Sequence, residues 1–473
     1  MLLAAQPGGA AAHAFGARYD LPLPLEMYLG GAGLVVFLSF AVSALHLYGE
    51  RRRTVSGHID MAATGPVLQA LGRGLRYLAV GLGLAVFALI LATAFLGDDS
   101  PTRNFAPTFV WVIWWVGLVY VAALVADLWP WLNPWRPIAL AVERLARSRL
   151  APLPYPEALG CWPAVALFFA FAWIELVFDG AEAPGTLGRL IVAYSLLTAF
   201  GAALFGARTW LAAGEVFTVF FAVVGRFAPL HFHCNGLRLR VFAQGLLVRG
   251  DVSASLMVFV VLVLSTVTFD GFTETPAWSG LLDWVSRDPL LRPLLVSLRG
   301  AGVDLLAAVK SFALLVFPLL FLAVYLLVCR LTAAITGEAL PTLAVARAFV
   351  FSLVPIAIAY HVAHYYSFLL LAGQLILPLL SDPFGYGWDL FGTAQRTIDI
   401  TVVNAKTTWY VAVSAIVLGH VFAVWIGHLT ALRLYPSRRT VLLSQIPMTA
   451  LMVAYTMVSL WILSQPIVAG PSL

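Results

Sequence analysis

Residues 345–380 read VARAFVFSLVPIAIAYHVAHYYSFLLLAGQLILPLL, a run with a single formal charge at Arg347. A helix rises about 1.5 Å per residue, so roughly 20 residues cross the ~30 Å hydrocarbon core of a bilayer. This run is long enough to cross, and it carries two imidazoles in Tyr360-His361-Val362-Ala363-His364-Tyr365-Tyr366. Polar groups at bilayer depth are costly unless they face a cavity or a partner. One segment therefore points both to a membrane fold and to a site inside it.

Working outward, further apolar runs of crossing length lie at about 28–48, 74–97, 108–128, 161–178, 187–210, 252–269, 301–329, 408–430 and 441–464. With the first run they predict an all-α, polytopic membrane helix bundle of about ten transmembrane helices. The domain plan is an amino-terminal segment 1–27, one helical domain 28–464 and a tail 465–473. Composition agrees: of 473 residues 61% are hydrophobic and 11% charged, with mean hydropathy +0.92. That balance excludes a disordered chain and a nucleic-acid-binding protein, and three scattered cysteines (Cys161, Cys234, Cys329) exclude a disulfide framework. The net charge of +5 is spread between apolar runs, not gathered on one stripe.

Charge asymmetry sets the expected orientation. With both termini outside, most arginines fall on the cytoplasmic side, from Arg51-Arg52-Arg53 and Arg73 through Arg144, Arg147, Arg226 and Arg238 to Arg438 and Arg439. Outer loops are acidic and turn-rich instead, as in Asp98-Asp99-Ser100-Pro101 and Asp179-Gly180-Ala181-Glu182. Between the fifth and sixth spans, 214–250 holds an apolar stretch interrupted by Arg226, which reads as an inner half-helix or interfacial segment; an eleventh span there would spoil the charge bias. The indoles of Trp111, Trp114, Trp115, Trp129, Trp131 and Trp135 read as interface anchors, and two prolines in Trp129-Pro130-Trp131-Leu132-Asn133-Pro134 predict a structured inner turn.

Ionisable groups inside the spans form a short set. The fourth span carries Glu175, the sixth ends at Asp270, the seventh carries Lys310, the eighth His361 and His364, and the ninth His420 and His428. Positions i and i+3 of a helix are about 60° apart and about 4.5 Å along the axis, so His361 and His364 can converge on one ion. A carboxylate from another helix would complete a chelate for a divalent metal ion: zinc, manganese or iron. Depth counting groups His361, His364, Glu175 and Asp270 in the outer half, with His420 nearer the middle. The expected metal set is His361, His364, Asp270 and His420. Glu175 is expected as ligand or general base, and Lys310 as a cation that snorkels, pairs with a carboxylate or stabilises negative charge on a substrate. A metal there would lower the pKa of bound water and polarise a phosphoryl oxygen, permitting hydrolysis of a small apolar ester.

These residues bring a resemblance into view. The chain resembles a family of bacterial integral-membrane proteins known as fenitrothion hydrolases, which are organophosphate triesterases. The resemblance rests on His13-Ala14-Phe15-Gly16-Ala17-Arg18-Tyr19-Asp20-Leu21-Pro22-Leu23-Pro24, Thr268-Phe269-Asp270-Gly271-Phe272, Tyr360-His361-Val362-Ala363-His364-Tyr365, Ser381-Asp382-Pro383-Phe384-Gly385-Tyr386-Gly387-Trp388-Asp389-Leu390-Phe391 and Gly419-His420. It implies a multi-pass protein of the bacterial inner membrane that hydrolyses organophosphate-type esters, and no particular site residues. His13, Asp20 and Asp382 fall on the side of the proposed site and are expected to cap it against substrate.

The same polar groups fit a second expectation, a transporter that uses the intramembrane histidines and carboxylates as a proton or substrate path, with Pro318 and Pro355 breaking helices. Haem ligation by histidines of the eighth and ninth spans is a third. The lipid bilayer and a small apolar substrate are the expected partners; partner subunits are not legible in the sequence.

Overall fold

The computed structural model describes residues 21, 23–46, 58–62, 66–147, 152–233, 236–247 and 252–468. In chain order the elements are α1 (Leu25–His46), β1 (His58–Ala62), α2 (Pro66–Leu96), α3 (Phe105–Leu124), α4 (Trp129–Leu132), α5 (Trp135–Arg147), α6 (Trp162–Leu176), α7 (Pro184–Phe205), α8 (Ala207–Ala213) and α9 (Val216–Val224). Then follow β2 (Leu230–His233), β3 (Gly236–Arg240), α10 (Ala254–Thr273), α11 (Pro276–Arg287), α12 (Arg292–Gly300), α13 (Leu305–Thr336), α14 (Thr342–Ser381), α15 (Ala405–Leu434) and α16 (Arg438–Val468). Among the described residues ten helices are long and apolar enough to cross a membrane: α1, α2, α3, α6, α7, α10, α13, α14, α15 and α16. Each overlaps one of the ten expected runs. The protein is an all-α polytopic helix bundle.

Local chemistry sets where several spans begin. Asn104, Ser253, Asp304 and Asn404 each accept a backbone N–H with the side chain at the first turn of α3, α10, α13 and α15, filling donors that a helix start leaves unpaired. Within lipid, association depends on close packing of small residues. Gly419 supplies this for α15 on α14: a Cβ there would lie 2.3 Å from Ala359 Cβ and 2.8 Å from the Pro355 carbonyl oxygen.

Two segments leave the crossing pattern. α8 and α9 meet at a 57° bend. α8 follows directly on the end of α7, packing Trp210 on Gly201. α9 leads back to the end of α3, where Leu230 bridges Ala126 and Gly225 packs on Asp127. Two crossings, α6 and α7, separate α3 from α8, so this excursion starts and finishes at the same end of the bundle and is not an eleventh crossing. Its apex is deep: Glu215 bonds Tyr194, which lies eleven residues, roughly 16 Å, above the end of α7.

The segment Trp129–Arg147 makes a matching excursion. Asn133 reaches Glu215 at 3.2 Å, and the Leu132 carbonyl lies 2.3 Å from where a Gly83 Cβ would stand, midway along α2. The sequence expectation of an inner turn was too shallow, and the interface-anchor reading is corrected for Trp115, Trp129 and Trp135, while Trp131 is half-buried with the Arg76 guanidinium 5.6 Å over its ring. Trp115, Trp129 and Trp135 are 6%, 3% and 6% exposed and pack among Phe168, Phe171, Phe217 and Phe221 at ring separations of 4.5–6.5 Å. Each such aromatic pair contributes about 0.5–1.5 kcal/mol beyond its burial, which holds two helices that cannot anchor themselves by spanning. At the same end β1, β3 and β2 form a three-stranded antiparallel sheet in that order.

Beside the excursions lies an apolar cavity of about 760 Å³ between α2, α3, α6, α7 and α9.

Candidate functional site

Four of the polar residues predicted for the spans, Glu175, Asp270, His361 and His364, meet at one place, nearer the end of the bundle away from the excursions. Asp270 stands in the last turn of α10 and Glu175 in the last turn of α6. α14 brings His361, His364 and Tyr365 opposite them. His364 Nε2 lies 3.0 Å from Asp270 Oδ2, with the two side chains 5% and 13% exposed. The Tyr365 hydroxyl donates to the same oxygen at 2.5 Å. Glu175 accepts the Trp115 indole N–H at 2.5 Å. His361, 7% exposed, places Nε2 3.3 Å from the Val116 carbonyl oxygen. Beyond Asp270 the chain turns into α11, whose Trp278 packs edge-on against Phe269 at 5.9 Å and closes this end.

Glu175, Asp270, His361, Tyr365 and Trp115 line a small cavity of about 50 Å³, with aliphatic and phenylalanine side chains and Thr266 for the remaining wall. That is room for water, which needs about 10–15 Å³ per probe-sized site and polar partners to hold it. The arrangement can therefore hold and pass a proton: a carboxylate sharing hydrogen bonds with an imidazole and a phenol, a second carboxylate, a second imidazole, and a water-sized space between them.

The two histidines diverge instead of converging. One turn of α14 aims His361 at α3 and His364 at α10. Among the described residues no group of three or more His, Cys, Asp and Glu side chains is placed to hold a metal ion; each expected ligand is engaged by a protein neighbour. His361 and His364 are thus held by partners on different helices, Val116 and Asp270. His420 is apart from the cluster: fully buried in α15, it places Nδ1 2.8 Å from the Ile416 carbonyl oxygen and its ring 5.8 Å from Tyr455. Lys310 sits in the second turn of α13, next to Ser311, and does not line the cavity. Asp382 shapes its own loop, accepting the Tyr386 and Gly387 N–H groups at 2.9 and 2.7 Å. His13 and Asp20 lie outside the described residues.

Several participants were not singled out from sequence. Trp115 and Tyr365 were read as an interface indole and a neighbour of the histidine pair, yet they are the hydrogen-bond donors to Glu175 and Asp270. The Val116 carbonyl belongs to Thr108–Gly117, which winds as a π-helix. Such widened turns recur at functional sites, and no composition signal marks this one. Adjacent residues of the π-helix serve different spaces: Trp114 faces the large cavity and Trp115 the small one. Glu215 was also missed as a polar group at depth. It is fully buried and accepts from the Phe217 and Thr218 N–H groups, Tyr194, Asn133 and the Thr218 hydroxyl. The available signal was a lone carboxylate directly before the apolar run Val216–Val224.

No protein-family model, curated protein or solved structure matches the chain.

Proposed function

We propose that this protein is a polytopic membrane permease whose transport cycle takes up and releases protons at Asp270 and His364, with Glu175 and His361 as the neighbouring acceptor and donor groups. The observation that carries the reading is the 3.0 Å contact between a carboxylate and an imidazole inside an apolar bundle, on the edge of a cavity large enough for water. Intramembrane ionisable residues that pair and face a cavity are the usual parts of proton relays. The two helical excursions that stop midway give the bundle the broken-helix architecture found where a transporter lines a path. With the arginine-rich end cytoplasmic, the pair lies towards the outer face of a bacterial inner membrane.

The test uses proteoliposomes containing a lumenal pH dye and a potassium-diffusion potential. Proton entry is expected at a rate at least tenfold above that of Asp270→Asn and His364→Gln vesicles. Equal rates for the three proteins would refute the proposal. Ester hydrolysis, the activity that the fenitrothion hydrolase resemblance implies, makes the opposite demand: stoichiometric metal in the purified protein, lost in a His361→Ala, His364→Ala double variant.

A further inference from the structure

The 760 Å³ cavity is separate from the proton site. It lies on the other side of the π-helical wall, and its lining is almost wholly hydrocarbon and aromatic. Two observations decide what fills it. First, Leu82 of α2 and Leu197 of α7 belong to its lining and are themselves 56% and 40% exposed, so the chamber opens sideways between these helices. Second, the depth of the opening is set by helix length. Leu197 stands eight residues from the end of α7 and Leu82 ten from Gly72, where the second span begins, about 12–15 Å into a core ~30 Å thick. An opening at that level faces acyl chains alone, since headgroups and water lie beyond the core.

We infer that the chamber is a lateral site for the acyl chain of a bilayer phospholipid, which inserts between α2 and α7 and lies along Trp129 and Phe217. The fold explains why the space exists. α4 and α9 rise only midway through the membrane, so the upper parts of α2 and α7 lack the neighbour that a full crossing would supply there. A hydrocarbon chain replaces it and restores dispersion contact with the aromatic wall. The site does not depend on the proton reading, and its failure is distinguishable from failure of that reading.

The experiment is native mass spectrometry with lipid extraction of the detergent-purified full chain, washed with delipidating detergent. Wild type is expected to retain phospholipid in stoichiometric amount. Ala193→Trp, which fills the chamber from α7, is expected to retain at least about tenfold less. Ala170→Phe fills it from α6 with a smaller change, so a result is obtained even if the first variant misfolds. Wild type free of bound lipid would overturn the inference, as would undiminished retention in well-folded filled variants. Recovery of only a lipophile without a glycerolipid headgroup would overturn it too.

Discussion

Replacing Asp270 by Asn tests the centre of the molecule. The carboxylate takes His364 at 3.0 Å and Tyr365 at 2.5 Å, in a setting where neither partner can turn to bulk water. Asparagine keeps the shape and one acceptor oxygen but presents an amide where the imidazole expects an acid. Breaking a buried pair by removing one member costs about 3–5 kcal/mol, because the survivor stays buried without its counter-group. His364→Gln is expected to cost a similar amount for the same reason. The double variant removes both members, so its loss should fall short of the sum of the singles by about 2–3 kcal/mol. Unfolding of the purified proteins in mixed micelles, followed by tryptophan fluorescence, measures all three. Single losses below about 1 kcal/mol, or losses that add to within about 0.5 kcal/mol, would show that the contact does not couple the two residues, and the proton site would lose its basis.

Glu215→Ala should destabilise the fold by roughly 3–9 kcal/mol, since it strips the acceptor from Tyr194 and two backbone N–H groups at about 1–3 kcal/mol for each one left unsatisfied; a melting temperature equal to wild type would refute the interlock. Asp127 lies outside the spans, and burial pushes its carboxyl from 3.8 up to about 6 against the opposing Trp129 N–H. A raised acid favours the folded state while protonated, so its stabilising contribution is complete below about pH 3.8 and is lost as pH rises through about 6. Asp127→Asn should accordingly gain up to roughly 3 kcal/mol over wild type at pH 8 and almost nothing at pH 4; the same melting shift at both values would contradict this. Gly419→Val, which forces a side chain into Ala359 and the Pro355 carbonyl, should cost at least ~1–3 kcal/mol, read as a lower melting temperature; a neutral result would mean that α14 and α15 are not in close contact.

Hydropathy alone determined the ten crossings found among the described residues, because lipid penalises any long polar helix and each span announces itself locally over roughly 20 residues. The same penalty made Glu175, Asp270, His361 and His364 stand out, and these four do gather in one region. Their partners are a matter of rotation about each helix axis, which no local pattern records. His361 and His364 share a turn, yet one faces α3 and the other α10, so a pair that looked like a chelate became two separate hydrogen bonds. The depth of Trp129–Trp135 was likewise invisible, since an indole anchored at an interface and one buried against Phe217 have identical local sequence. Only packing distinguishes them: the aromatic wall exists because two excursions from distant parts of the chain meet at Asn133 and Glu215, and that meeting also leaves the apolar chamber open to the bilayer.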